Sequence, residues 1–150
     1  MAANINPIFP LTPYAVACSL IAASAGTSRA PTATANMGNT PIFAVALGAV
    51  AGANGRRIDR IQVKGAATAI GGATTAGSVI IWLDDGVTAW PIAEILTPVV
   101  TPSASVASLD VQALFNNLIL PSGYKLWAST TITGAAAAHA LVVLAFGGDY

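Results

Sequence analysis

Apolar and polar positions along this chain alternate in short runs separated by Gly, Pro, Asn, Asp and Thr, and no run carries the three-to-four-residue spacing of a helix. Eight such runs predict strands: YAVACSLIA (14–22), PIFAVALGAV (41–50), RRIDRIQVKGA (56–66), GSVIIWLDD (77–85), TAWPIAEIL (88–96), ASVASLDVQAL (104–114), YKLWASTTI (124–132) and AHALVVLAF (138–146). The expectation is an all-β, eight-stranded antiparallel sandwich, jelly-roll-like, since eight is the strand number that architecture needs. The chain reads as a single β-sandwich domain over 1–150, with an extended N-terminal arm over about 1–13. The polar, Thr- and Ala-rich segment 26–40 reads as a long loop.

Successive strand residues point to opposite faces, so parity predicts what each strand buries. In the first run Tyr14, Val16, Cys18 and Leu20 share a large-residue face, and Ala15, Ala17 and Ser19 a small one. Val45 and Leu47 share a face with Phe43. Ile61 and Val63 alternate with Arg60, Gln62 and Lys64, and Leu109 and Val111 with Asp110 and Gln112. Asp84–Gly86 signals a hairpin turn, and Pro91 confines its strand to an edge or a bulge. FNNLIL (115–120) reads as the lead into the turn LPSG. Two runs depart from the pattern. In the last, both Leu141/Val143 and Val142/Leu144/Phe146 are apolar, so the second face needs a cover from another segment or another subunit. In the seventh, Trp127 shares its face with Lys125, Ser129 and Thr131, as a partner contact or lying flat over the sheet. Trp82 shares parity with Ile80 and Trp90 with Ile92, so both read as core residues.

Composition sharpens this picture. Charged residues are 8% of the 150 and hydrophobic residues 55%, against about 25% charged in an ordinary soluble domain. A folded monomer of this size exposes roughly 7,000 Å², which leaves about one charge per 600 Å². With zero net charge there is no colloidal repulsion either. A surface covered by other protein accounts for this. A membrane does not, because no apolar run reaches the ~20 residues that span a bilayer. The opening MAANINPIFPLTPYAVACSLIAASAG also carries three prolines and no cation ahead of its apolar stretch, unlike a signal peptide.

Candidate chemistry is sparse. One cysteine, Cys18, and one histidine, His139, build neither a disulfide nor a zinc site. His139, in AAAAHALVV, reads as a core histidine rather than a member of a Ser–His–Asp set. Asp84 and Asp85 read as turn formers rather than, with Glu94, calcium ligands. GGATTAG (71–77) lacks the lysine and helix of a phosphate loop. The expectation is a non-enzymatic protein without a cofactor. Arg56, Arg57, Arg60 and Lys64 are too few, and too free of interleaved aromatics, to predict nucleic-acid binding.

Five of the twelve formal charges nevertheless fall within NGRRIDRIQVKG, 54–65. A strand with long basic side chains on one side resists edge pairing and stays wet. The alternative is docking, in which Arg56, Arg57, Asp59, Arg60 and Lys64, with Trp127, orient the chain against an acidic surface of a larger assembly.

RIDRIQVKGAAT, LPSGYKLWAST and the terminal AFGGDY together resemble a group of small structural proteins of tailed bacteriophages, with the likeness covering roughly residues 55–150. The resemblance implies a virion component on the capsid surface. It would be a decoration, or cement, protein that binds the major capsid protein, stabilises the lattice and is itself a homo-oligomer, often a trimer. A different function class is a carbohydrate-binding module on a phage fibre or tail, in which Trp82, Trp90 and Trp127 stack on sugars.

Overall fold

The computed structural model describes residues 12–20, 44–66, 74, 76–130 and 140–150. Eight antiparallel strands form two four-stranded sheets. They are β1 (Thr12–Leu20), β2 (Ala44–Ala46), β3 (Arg56–Ala66), β4 (Gly77–Asp84), β5 (Ala89–Thr97), β6 (Asp110–Leu120), β7 (Lys125–Thr130) and β8 (Ala140–Asp149). The first sheet has the order β1-β8-β3-β6 and the second β2-β7-β4-β5. First strand pairs with last, second with seventh, third with sixth and fourth with fifth, so the pairings nest.

The core lies between the sheets. Tyr14, Cys18 and Leu20 of β1, Ile58, Ile61 and Val63 of β3, and Leu141, Val143 and Ala145 of β8 face it from the first sheet. Val79 and Ile81 of β4, Ile95 of β5, and Leu126 and Ala128 of β7 meet them from the second. Each fully buried Ile or Leu contributes on the order of 2 kcal/mol from apolar area alone. Parity carries most of this arrangement, and β3 follows the expected span. At one place it fails. Ile58 and Ile61 both point inward although three residues apart, because the register shifts between Ile58 and Arg60. The bulge absorbs Asp59 and turns Arg57, Arg60, Gln62 and Lys64 to one outer face.

Several expectations are corrected. The sixth strand runs over 110–120 and not 104–114; Asn117 adopts φ 61°, and FNNLIL belongs to the strand rather than to the turn. Thr12 and Pro13, assigned to the arm, are the first residues of β1; of the expected second strand β2 holds Ala44–Ala46, residues 47–50 are not strand, and residues 41–43 lie outside the described residues. The last strand extends to Asp149 and takes in most of AFGGDY. Trp82 is buried but points away from the core, sharing the outer face of β4 with Ser78, Ile80 and Asp84. Trp90 is 39% exposed and does not belong to the core. Pro91 sits on the edge strand β5 beside a register shift, so edge and bulge coincide. Residues 26–40, His139, Phe43, Ile132 and most of the arm lie outside the described residues.

The β4–β5 hairpin is closed by its two aspartates. Asp84 accepts the amide N–H of Gly86 at 2.8 Å, and one carboxylate oxygen of Asp85 accepts those of Val87 and Thr88 at 2.8 and 2.6 Å. Those backbone bonds hold the Asp85 carboxyl below its ordinary range. This end of the sandwich also gathers the pieces of all three sequence motifs. The Leu120–Tyr124 turn ties to the β2–β3 connection, with Ala51 donating to Tyr124 and Gly123 to Ala51, and Tyr150 donates to Gly55.

Candidate docking surface

The structure divides the predicted docking set. Arg56 leaves it: the side chain turns inward and only 6% of the residue is exposed. Its Nε lies 2.5 Å from Asp149 Oδ1, its Nη2 donates to Oδ2 at 3.2 Å and its Nη1 donates to the Ala49 carbonyl at 2.9 Å. The guanidinium stacks 3.6 Å from the centroid of the Tyr14 ring. Tyr14 in turn donates its hydroxyl to the Leu47 carbonyl at 3.2 Å. Burial raises the Tyr14 pKa, against the opposing pull of the neighbouring Arg56 charge. Arg56 therefore fastens β1, β3, β8 and the β2–β3 connection to one another and is unavailable to a partner.

Arg57, Asp59, Arg60 and Lys64 remain on the outside of the first sheet. Arg57 and Asp59 pair with each other, with Nε 2.8 Å from Oδ1 and Nη2 donating to Oδ2 at 3.1 Å. Lys64 reaches Asp110 on β6 at 3.2 Å, and Gln62 donates to the same carboxylate at 2.6 Å. The Gln62 bond, with Lys64 behind it, lowers the Asp110 pKa. Arg60 differs. Its guanidinium lies 4.4 Å from the centroid of the Phe146 ring; it makes no ion pair among the described residues, and its buried Nε, like that of Arg57, has no hydrogen-bond partner among them.

Register explains this placement. Phe146 of β8 lies between Ala15 of β1 and Arg60 of β3, Leu144 between Ala17 and Gln62, and Val142 between Ser19 and Lys64. The long side chains of β3 therefore stand beside the apolar outer face of β8, which is half-buried. The cover that the last strand requires thus comes in part from its own sheet, through the aliphatic stems of Arg60 and Lys64. Beyond β3, Leu114 and Ile119 of β6 extend the face at 71% and 56% exposure. Sequence reasoning places Leu114 at the end of its strand, at the outward parity of Asp110 and Gln112, and misses Ile119, because it ends the strand at Leu114. The result is a surface with uncharged small residues on one side, a cationic row in the middle and apolar side chains on the other.

Trp127 belongs elsewhere, on the outer face of the second sheet, directly opposite Trp82 in the β4–β7 register. Its indole N–H donates to Asp84 at 2.7 Å, and the Lys125 ammonium lies 4.4 Å from the ring centroid. The Trp82 indole N–H donates to Ser129 at 2.8 Å. Trp127 and the cationic row are thus on opposite faces of the sandwich and cannot form one contact.

No protein-family model matches the chain, and neither a curated protein nor a solved structure matches it.

Proposed function

We propose that the protein is a structural subunit, a decoration protein of a tailed-phage head, that lays the outer face of its first sheet against the major capsid protein. The nested strand order is read here as a jelly roll. One observation carries the docking reading: Arg60 stands on Phe146 beside the apolar outer face of β8 and, among the described residues, makes no ion pair with a carboxylate, whereas Arg57 and Lys64 each do. An arginine presented in this way offers its fork of donors to an acceptor on a partner, while the flanking Ala15, Ala17, Val142 and Leu144 supply neutral contact area. Arg57 and Lys64, each held by one aspartate, set the sign of the potential around it.

The carbohydrate-binding reading loses ground on the tryptophans. Trp82 is buried, and both its indole donor and that of Trp127 are engaged by Ser129 and Asp84. The test is a charge reversal, Arg57→Glu with Arg60→Glu, assayed by co-sedimentation with heads that lack the protein. The reading expects unchanged circular dichroism and loss of attachment. Undiminished attachment of the folded variant would sink it, as would fewer than stoichiometric copies in particles counted by mass spectrometry against the shell protein.

A further inference from the structure

Of the seven asparagines in the chain, only Asn54 precedes a glycine. That pair carries a reactivity of its own. The side-chain carbonyl carbon of an asparagine lies within five-membered-ring reach of the next backbone nitrogen, and a glycine there puts no Cβ in the way. Asparagine counts among the thermolabile residues for this reason.

The fold presents the pair openly and keeps it in place. Asn54 lies in the β2–β3 connection, where Gly52, Ala53 and Asn54 are all exposed, so hydroxide and water reach it. Ala53 and Asn54 are the central residues of a turn closed by one backbone bond, from the Gly55 amide to the Gly52 carbonyl at 3.0 Å. Among the described residues no hydrogen bond holds the Asn54 side chain. Attack requires the Gly55 amide to leave Gly52, and a single bond at an exposed tip belongs to the low-stability end of a structure. Gly55 itself is hard to exchange. Its φ is 86°, and a Cβ there would stand 2.8 Å from the Leu120 carbonyl oxygen. The backbone demand that makes residue 55 a glycine thereby makes Asn54 reactive. The Asp85–Gly86 step is the contrast: the Asp85 carboxylate is taken up by the amides of Val87 and Thr88, and the Gly86 amide by Asp84.

We infer that Asn54 is a site of spontaneous deamidation through a succinimide. The Gly55 amide gives its proton to hydroxide, and its nitrogen bonds to Cγ of Asn54. The Cγ–Nδ2 bond breaks and ammonia leaves. Water then opens the ring at either carbonyl. Cleavage at Cγ gives aspartate, and cleavage at the main-chain carbonyl gives an isoaspartyl linkage. Each route consumes one water, releases one ammonia and changes no oxidation state. Each product carries a carboxylate, so a chain of zero net charge becomes an anion. The isoaspartyl form also adds one carbon to the backbone just before Gly55, which accepts the Tyr150 amide at 3.3 Å, and Arg56, which holds Asp149. The added length falls at the end of the sandwich that Arg56 fastens, and loosens it. This chemistry belongs to the β2–β3 connection and does not rest on the docking reading.

Incubation of the full chain between pH 7.5 and 8.5, followed by intact-mass measurement and tryptic mapping, tests it. Asn54 falls in the tryptic peptide 30–56 together with Asn36 and Asn39, whose fragment ions separate the three. A gain of one mass unit should appear at Asn54 before any other asparagine, at a rate proportional to hydroxide concentration, with isoaspartyl beside aspartyl product. Asn54→Gln, whose ring would need six members, should keep the circular dichroism of the wild type and lose the gain at residue 54. The isoaspartyl protein, separated by anion exchange, should unfold at lower urea, and an equal midpoint would overturn the loosening of that end. An Asn54 that stays intact while a synthetic peptide of residues 50–58 is fully converted overturns the inference. So does aspartate without isoaspartate, which direct hydrolysis would give, or a gain at residue 54 that persists in Asn54→Gln.

Discussion

Arg56 and Asp149, 93 residues apart in sequence, meet in a two-point ion pair that locks the final strand onto the middle of the first sheet. The arginine is almost fully buried, whereas the aspartate side chain keeps 34% of its surface. The asymmetry makes the arginine the vulnerable partner, because removal of the aspartate strands a buried cation. Asp149→Ala is expected to cost about 3 kcal/mol in urea unfolding. Replacing both residues, Arg56→Met with Asp149→Leu, should cost less than Asp149→Ala alone. Equal losses would mean that the pair is solvated in solution and that the arginine is held by Tyr14 and Ala49 instead.

Gly147 explains part of the terminal AFGGDY run. It pairs with Ile58 across β3 and β8, next to the bulge, and a Cβ built there would overlap the Arg57 carbonyl. The obstacle is backbone, which cannot rotate away as a side chain can. Gly147→Ala is expected to lose about 3 kcal/mol or more, by overpacking and by a shift of the strand that carries Asp149. Gly52→Ala, where a Cβ meets nothing within 4 Å, should unfold within about 0.5 kcal/mol of the wild type. Thermal unfolding of the two variants side by side checks the contrast.

How far the sequence disclosed this structure differs from strand to strand. β3 was legible because Ile61 and Val63 alternate with three long polar residues, yet its bulge was not recognised; the three-residue spacing of Ile58 and Ile61 was the signal. β6 ends six residues beyond its expected end because FNNLIL reads as the lead into the LPSG turn, whereas the strand runs through it and accommodates Asn117 at positive φ. In β4 the run VIIW is apolar at both parities, so periodicity held no information about which way Trp82 points. The docking set was half legible. Parity placed Arg60, Gln62 and Lys64 together, but the burial of Arg56 depends on Asp149 and Tyr14, which local pattern does not bring together.

The Trp82–Trp127 pair predicts unequal penalties for the same substitution. Trp82 is 4% exposed, and its N–H satisfies the fully buried Ser129 hydroxyl. Trp82→Phe removes that bond and leaves a gap, at an expected cost of about 2–3 kcal/mol. Trp127 is only half-buried and donates to Asp84, which also closes the hairpin turn. Trp127→Phe should cost about 1 kcal/mol, since water can reach the freed carboxylate oxygen. Denaturant midpoints decide the order, and a larger loss for Trp127→Phe would place the structural weight on the Asp84 side.

Cys18 makes the stability of this fold sensitive to alkali. Burial among Tyr14, Leu20 and their neighbours pushes its thiol pKa from 9.0 up to about 12. In the unfolded chain the thiol ionises from about pH 9, while the folded state holds the proton, so unfolding releases a proton in this window. The contribution is complete below pH 9 and is lost as pH rises toward 12, by up to about 4 kcal/mol. Tyr14, raised by burial from 10.0, adds a second loss that begins one unit higher. Cys18→Ala should therefore lower the plateau by about 1 kcal/mol through lost packing but delay the alkaline decline until above pH 10. Adding Tyr14→Phe should flatten what remains. Urea unfolding from pH 7 to 11 measures both effects, and a Cys18→Ala curve that still falls between pH 9 and 10 would show that the thiol is not the group responsible.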